Sequence, residues 1–133
     1  IRMKALCNNA LTLAKALEEL AGITVNYPGL ESSPYKPLVD EQFGGLGGAI
    51  LTIRAGSREK AFKLINSLKY AHIATNIGDL RTLVIHPSST IYLHSTKEEQ
   101  EYAGVYEDTI RISVGIEDVE DLIADFTQAI ENI

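Results

Sequence analysis

The chain is short of cysteine, of positive charge and of long apolar runs, and each shortage removes a class of function. A single cysteine among 133 residues, Cys7, rules out an internal disulfide and fits a reducing, cytoplasmic compartment. Nothing near it in sequence activates it as a nucleophile, so Cys7 is expected to be a small buried helix residue. Lys and Arg number 12 against 18 Asp and Glu, a net charge of −6. The cations are scattered, so nucleic acid, whose phosphates need a basic patch, is not an expected partner. No apolar stretch approaches the roughly 20 residues of a membrane span, and the amphipathic N-terminal stretch has no small-residue cleavage site. No membrane partner is expected. The three histidines, His72, His86 and His94, lack metal-ligand spacing with cysteine or carboxylates, so no metal site is expected. Repeats, low-complexity stretches and internal linkers are also missing.

What is present is an ordinary globular composition, 45% hydrophobic and 23% charged, read as one domain over residues 1–133. Met3, Leu6, Ala10, Leu13, Leu17 and Leu20 recur at three- and four-residue spacing and predict a helix over Arg2 to Leu20, ended by Gly22. The chain begins inside this helical pattern without a Met, which suggests a piece of something longer. Ile23 to Tyr27 alternates as a half-buried strand and Pro28-Gly29 turns it. Pro34 and Pro37 open a short helix reaching Phe43. The glycines at 44, 45, 47 and 48 lack the Walker lysine and any dinucleotide fingerprint; they read as a tightly turning approach to a strand over Ala49 to Arg54.

Ser57 caps a helix over Arg58 to Leu68 whose inner stripe is Ala61, Leu64, Ile65 and Leu68. A short strand near His72 to Asn76 leads through Gly78-Asp79 to Thr82–Ile85, apolar on both faces and so expected inside a sheet. His86-Pro87 stops it, with His86 expected to satisfy backbone there. Thr96-Lys97-Glu98-Glu99 is a capping box for a short helix that Gly104 closes. Asp118 caps a last helix with Val119, Leu122, Ile123, Phe126 and Ile130 inward and Glu120 and Asp121 on its positive dipole end. Strands with helices between and after them predict a two-layer α/β sandwich, helices on one face and the other face left for a ligand or another domain.

The strand Thr109–Val114 carries the one polar constellation of note. Ile110, Ile112 and Val114 fall on one side, Thr109, Arg111 and Ser113 on the other. An arginine there suits bidentate capture of a carboxylate or phosphate; equally, an edge strand can turn an arginine out to water. No Ser-His-Asp pattern stands out, and Glu98, Glu99 and Glu101 form a solvated acidic helix face. Residue chemistry alone does not reach a reaction.

Taken together, several stretches resemble the C-terminal domain of the Cys/Met-metabolism enzymes dependent on pyridoxal phosphate. They are Asn26-Tyr27-Pro28-Gly29-Leu30-Glu31-Ser32, the glycine cluster after Phe43, Asn76-Ile77-Gly78-Asp79, Leu83–Thr90 and Ile110–Asp118. The resemblance implies the fold of that domain in fold type I enzymes, a small and mostly antiparallel sheet with helices on one face. Residues 1–133 would then be the substrate-side domain of a longer enzyme, with residues 1–20 as an interdomain helix. Arg81 after Gly78-Asp79 is most like the O-acetylhomoserine sulfhydrylase branch, since cystathionine lyases carry an acidic residue there. Parents of the methionine γ-lyase or cystathionine γ-synthase type are alternatives, and O-succinylhomoserine is an alternative substrate.

The implied chemistry is γ-replacement: the cofactor stores carbanion electrons, acetate leaves the γ-carbon, and sulfide or a thiol adds. The resemblance makes Arg111 the grip on the substrate α-carboxylate and Thr82, usually Ser, a neighbour of cofactor and substrate amine. A role for Tyr92, where the family has a Thr-Thr-His ending, stays open. None of Lys4, Lys15, Lys36, Lys60, Lys63, Lys69 or Lys97 lies in a Ser-x-Thr-Lys context, so no Schiff-base lysine and no cofactor-binding residue is expected in this chain. By itself it is expected to be inactive and without cofactor, while the parent is a homo-oligomer, tetrameric as in the family. A stand-alone amino-acid-binding regulatory module, or a domain serving mainly oligomer packing, is the reading from another class.

Overall fold

Apolar residues at every second position of β2 (Ile50–Arg54) and β5 (Thr109–Ser113) build the inner face of a sheet, seen in a computed structural model that describes residues 1–133. The elements, in chain order, are α1 (Arg2–Glu18), β1 (Thr24–Asn26), α2 (Lys36–Phe43), β2 (Ile50–Arg54), α3 (Arg58–Ser67), β3 (His72–Ile73), β4 (Leu83–Ile85), α4 (Lys97–Tyr102), β5 (Thr109–Ser113) and α5 (Val119–Glu131). The sheet order is β1-β2-β5-β4-β3. All neighbours are antiparallel except β3 with β4, which run parallel. The expected strand His72–Asn76 is therefore shorter, and a 3₁₀ turn over Pro87–Ser89, which the sequence reading did not anticipate, follows β4.

Leu51 and Ile53 of β2, Val84 of β4, and Ile110, Ile112 and Val114 share the inner face. Against them pack Leu13 and Leu17 of α1, Leu64 of α3, and Leu122 and Phe126 of α5, all fully buried. Met3, expected inward, is exposed because it lies a turn before the core begins. α1 is thus part of this core, with Leu6, Ala10 and Ala14 also buried. The expected caps are present: Ser57 accepts from Lys60 N–H at 3.2 Å, Asp118 from Glu120 N–H at 2.9 Å, and Thr96 with Glu99 closes its capping box. Asp125 of α5 is buried and accepts the backbone N–H groups of Lys69 and Tyr70 at 2.9 Å each, closing the chain end that follows α3.

The other face is partly covered. Leu83 and Ile85 of β4 point there and are buried, as are His86, Pro87, Ser88 and Val105 in the chain that follows. His86 satisfies backbone, as expected: its Nε2 donates to the Glu107 carbonyl at 2.7 Å, so its Nδ1 is the acceptor for the Ser89 hydroxyl at 2.8 Å. Cys7 is buried and free.

The glycine cluster serves Tyr27. That phenol is 1% exposed and donates to the Gly48 carbonyl at 2.8 Å. A Cβ on Gly47 would lie 2.8 Å from the phenolic oxygen, so only glycine lets the loop close over the ring. Burial, then the neighbouring Cys7, push the Tyr27 hydroxyl from 10.0 up to about 12. An unfolded chain loses that proton first, so this contribution to stability is complete below pH 10 and disappears as pH rises toward 12. Tyr27→Phe is expected to abolish the last tyrosine to ionise in an ultraviolet titration and to flatten the stability loss over that interval. Ile112→Ala, at the centre of the core, should cost about 2–5 kcal/mol in denaturant unfolding.

Candidate functional site

Arg111 is locked in register between Thr52 of β2 and Ile85 of β4, on the face turned away from α1, α3 and α5. β5 is therefore the middle strand of five, and the edge-strand alternative is set aside: Arg111 is half-buried rather than turned out to water. Its Nη2 donates to the carbonyls of Thr75 at 3.0 Å and Asn76 at 3.4 Å. Its Nε is buried with no hydrogen-bond partner. Arg54, Arg58 and Arg81 each face a carboxylate, on Asp108, Glu107 and Asp79, whereas no carboxylate lies within 4.0 Å of Arg111. Burial holds the guanidinium below its ordinary pKa, yet it stays charged. A half-buried cation held only by neutral carbonyls, with a donor left over, is complementary to an incoming anion, and its planar fork selects a carboxylate or phosphate.

The stretch that supplies those carbonyls is pinned to the turn after β5. Gly78 N–H donates to the Ser113 hydroxyl at 3.3 Å and Ile116 N–H to the Leu80 carbonyl at 2.8 Å. Glu117 takes Thr82 N–H on one carboxylate oxygen at 2.5 Å and the Thr82 hydroxyl on the other at 2.9 Å. The same hydroxyl accepts Gly115 N–H at 3.0 Å. From α1, Asn9 Nδ2 donates to the carbonyls of Gly115 at 3.1 Å and Glu117 at 2.8 Å. Asp79 accepts the N–H of Arg81 at 2.9 Å, and that bond, ahead of the Arg81 charge, keeps its carboxyl below the usual range.

The structure therefore separates the two residues named for substrate binding. Thr82 is fully buried, extends the alternation of β4 onto the side of Val84, and commits its hydroxyl to Glu117 and Gly115. Arg111 projects from the opposite face. Tyr92 acts through its backbone, its carbonyl accepting from Gln100 Nε2 at 2.9 Å. Glu117, Asn9 and the carbonyls at 75 and 76 were not singled out from sequence. Their signals were present only as the Asn76-Ile77-Gly78-Asp79 and Ile116-Glu117-Asp118 runs and as one asparagine near the inner stripe of α1. The residues present do not compose a site for pyridoxal phosphate. Lys4, Lys15, Lys60, Lys63, Lys69 and Lys97 are exposed, and Lys36 pairs with Asp40 at 2.6 Å.

Comparison with known proteins gives a consistent picture. A family described as Cys/Met metabolism PLP-dependent enzyme matches residues 1–131. A homocysteine synthase of Schizosaccharomyces pombe is 44% identical over 98% of this chain and 31% of its own length. An L-methionine gamma-lyase of Fusobacterium nucleatum subsp. nucleatum is 40% identical over 100% of the chain and 34% of its own length. The crystal structure of a putative O-acetylhomoserine (thiol)-lyase from Campylobacter jejuni, which carries a pyridoxyl-lysine phosphate, superposes with a TM-score of 0.93 at 36% identity, covering 98% of this chain and 31% of that one. The chain spans about a third of the length of the curated relatives it matches.

Gly115→Ala tests the pinned turn. The new Cβ would lie 2.6 Å from the Arg81 carbonyl carbon and nearer still to the Leu80 oxygen and the Glu117 carboxylate. Backbone must move, and denaturant unfolding should show a loss of about 1–3 kcal/mol or more.

Proposed function

Because the chain belongs to the Cys/Met metabolism PLP-dependent enzyme family, we propose that it is the C-terminal, substrate-side domain of a sulfhydrylase that exchanges the acetate of O-acetylhomoserine for sulfide, giving homocysteine. The observation that carries this reading is the unpaired, half-buried guanidinium of Arg111, which fits the α-carboxylate of an amino acid. Gripping the carboxylate fixes the orientation of the substrate's Cα, so that the bond to be broken there stays aligned through the reaction. Thr82 enters as the residue that holds the Gly115 turn beyond the end of β5, with its hydroxyl directed to Glu117. When bound, pyridoxal phosphate supplies the electron sink for this chemistry, and the lysine and phosphate-binding groups come from outside these residues. α1, whose buried stripe is already spent on this core, joins the domain to that remainder through its exposed first turn.

The proposed parent is a cytoplasmic homo-oligomer. Tyr35, Leu38, Phe43 and Leu46, exposed side by side around α2, support a covered face on the assembled protein. A γ-lyase parent is the second reading, favoured by the methionine gamma-lyase relative, whose 40% identity stands close to the 44% of the homocysteine synthase.

Product analysis on the full-length, cofactor-loaded protein tests both. Homocysteine from O-acetylhomoserine and sulfide, outpacing 2-oxobutanoate and ammonia from methionine, is the expected result; the reverse ranking would favour the lyase, and neither product would overturn the proposal. Arg111→Met should lower kcat/KM about a hundredfold or more with the fold intact, because the lost contact is a charge-assisted one.

A further inference from the structure

Resting on the reading of Arg111 as a carboxylate grip, we propose that Glu117 is a positioning residue for that site, acting through Thr82 on the stretch that holds the guanidinium. The path runs through a short stretch of chain, residues 75–82, with hydrogen bonds at its ends. Arg111 Nη2 is held by the carbonyls of Thr75 and Asn76. Thr75, Asn76 and Ile77 are themselves exposed, Ile77 at 59%, so packing does not hold them in place. Their position depends on the ends of the stretch: β3 on one side, and on the other the tethers at Gly78, Leu80 and Thr82. Thr82 is the strongest of these, because both of its donors go to one charged group.

A carboxylate is an acceptor-only group with two oxygens, and it matches the two donors of a single residue, the N–H and the hydroxyl of Thr82. Because that hydroxyl's proton is directed to Glu117, its lone pairs are available for Gly115 N–H. Asn9 fixes the backbone of Glu117 itself, so the carboxylate is aimed from a rigid base on α1. Removing the Glu117 carboxylate frees Thr82 and, with it, the approach that sets where the Arg111 fork points. The substrate's carboxylate then meets a guanidinium that has to be organised on binding.

The test is the preference for an acid over its amide, a readout that lost stability alone does not move. Calorimetry on the full-length, cofactor-loaded protein gives dissociation constants for L-norleucine, which has no leaving group on its γ-carbon, and for its carboxamide. The wild type should prefer the acid, and Arg111→Met should lose that preference by about a hundredfold. Glu117→Ala and Thr82→Val should each reduce it by about tenfold, while Thr82→Ser, which keeps the hydroxyl, restores it. A Glu117→Ala protein with a lower melting temperature but the wild-type preference would overturn the inference, with Arg111 unaffected. Should Glu117→Ala not fold, Thr82→Val and Thr82→Ser decide in the same way. Absence of preference in the wild type, or its survival in Arg111→Met, would instead overturn the reading of Arg111.

Discussion

β5 is hydrogen-bonded along both edges, to β2 over Thr109–Ser113 and to β4 over Arg111–Ser113, and its alternation divides the molecule in two. Ile110 and Ile112 are fully buried on the side where α1, α3 and α5 pack. Arg111 sits between them in sequence and on the other side in space. The strand cannot slip by one residue, because a slip would bring the guanidinium into the core and turn the isoleucines out of it. The same constraint that gives the domain its core therefore fixes the charge on its opposite face.

That charge is incompletely compensated within the chain. Two backbone carbonyls receive one nitrogen of the guanidinium, and a buried Nε has no partner. A buried polar group left without a partner lowers stability. The arrangement is also preorganised. Ser113, Ile116 and Glu117 tie the stretch carrying those carbonyls to the end of β5, and Asn9 ties that end to α1. In the proposed reading, one amino-acid carboxylate completes the set. In that same reading, the cofactor chemistry of the family draws on groups outside these residues, and the domain contributes recognition and orientation.

Much of this was legible from the residues. The caps at Ser57, Thr96 and Asp118, the strand at Thr109–Val114 and the helix-side stripe of α5 follow local patterns that survive folding unchanged. Alternation records faces but not neighbours, which is why an edge position for β5 stayed open until its pairing was seen. Thr82 illustrates another limit. A hydroxyl at a strand end reads alike whether it faces a ligand or a buried carboxylate, and its partners Gly115 and Glu117 lie over thirty residues away. Asn9 is farther still from the turn it fastens. β3 is shorter than its alternation suggested, and the carbonyls of Thr75 and Asn76 beyond it accept from Arg111 instead.

The central claim, that Arg111 receives a substrate carboxylate, is tested most directly by a crystal structure of the full-length, cofactor-loaded protein with a bound amino acid. The account requires the ligand's carboxylate within hydrogen-bonding distance of the Arg111 guanidinium, with the stretch from Thr75 to Thr82 still fastened to Ser113 and Glu117. A ligand whose carboxylate is held elsewhere, leaving Arg111 bonded only to the carbonyls of Thr75 and Asn76, would contradict it.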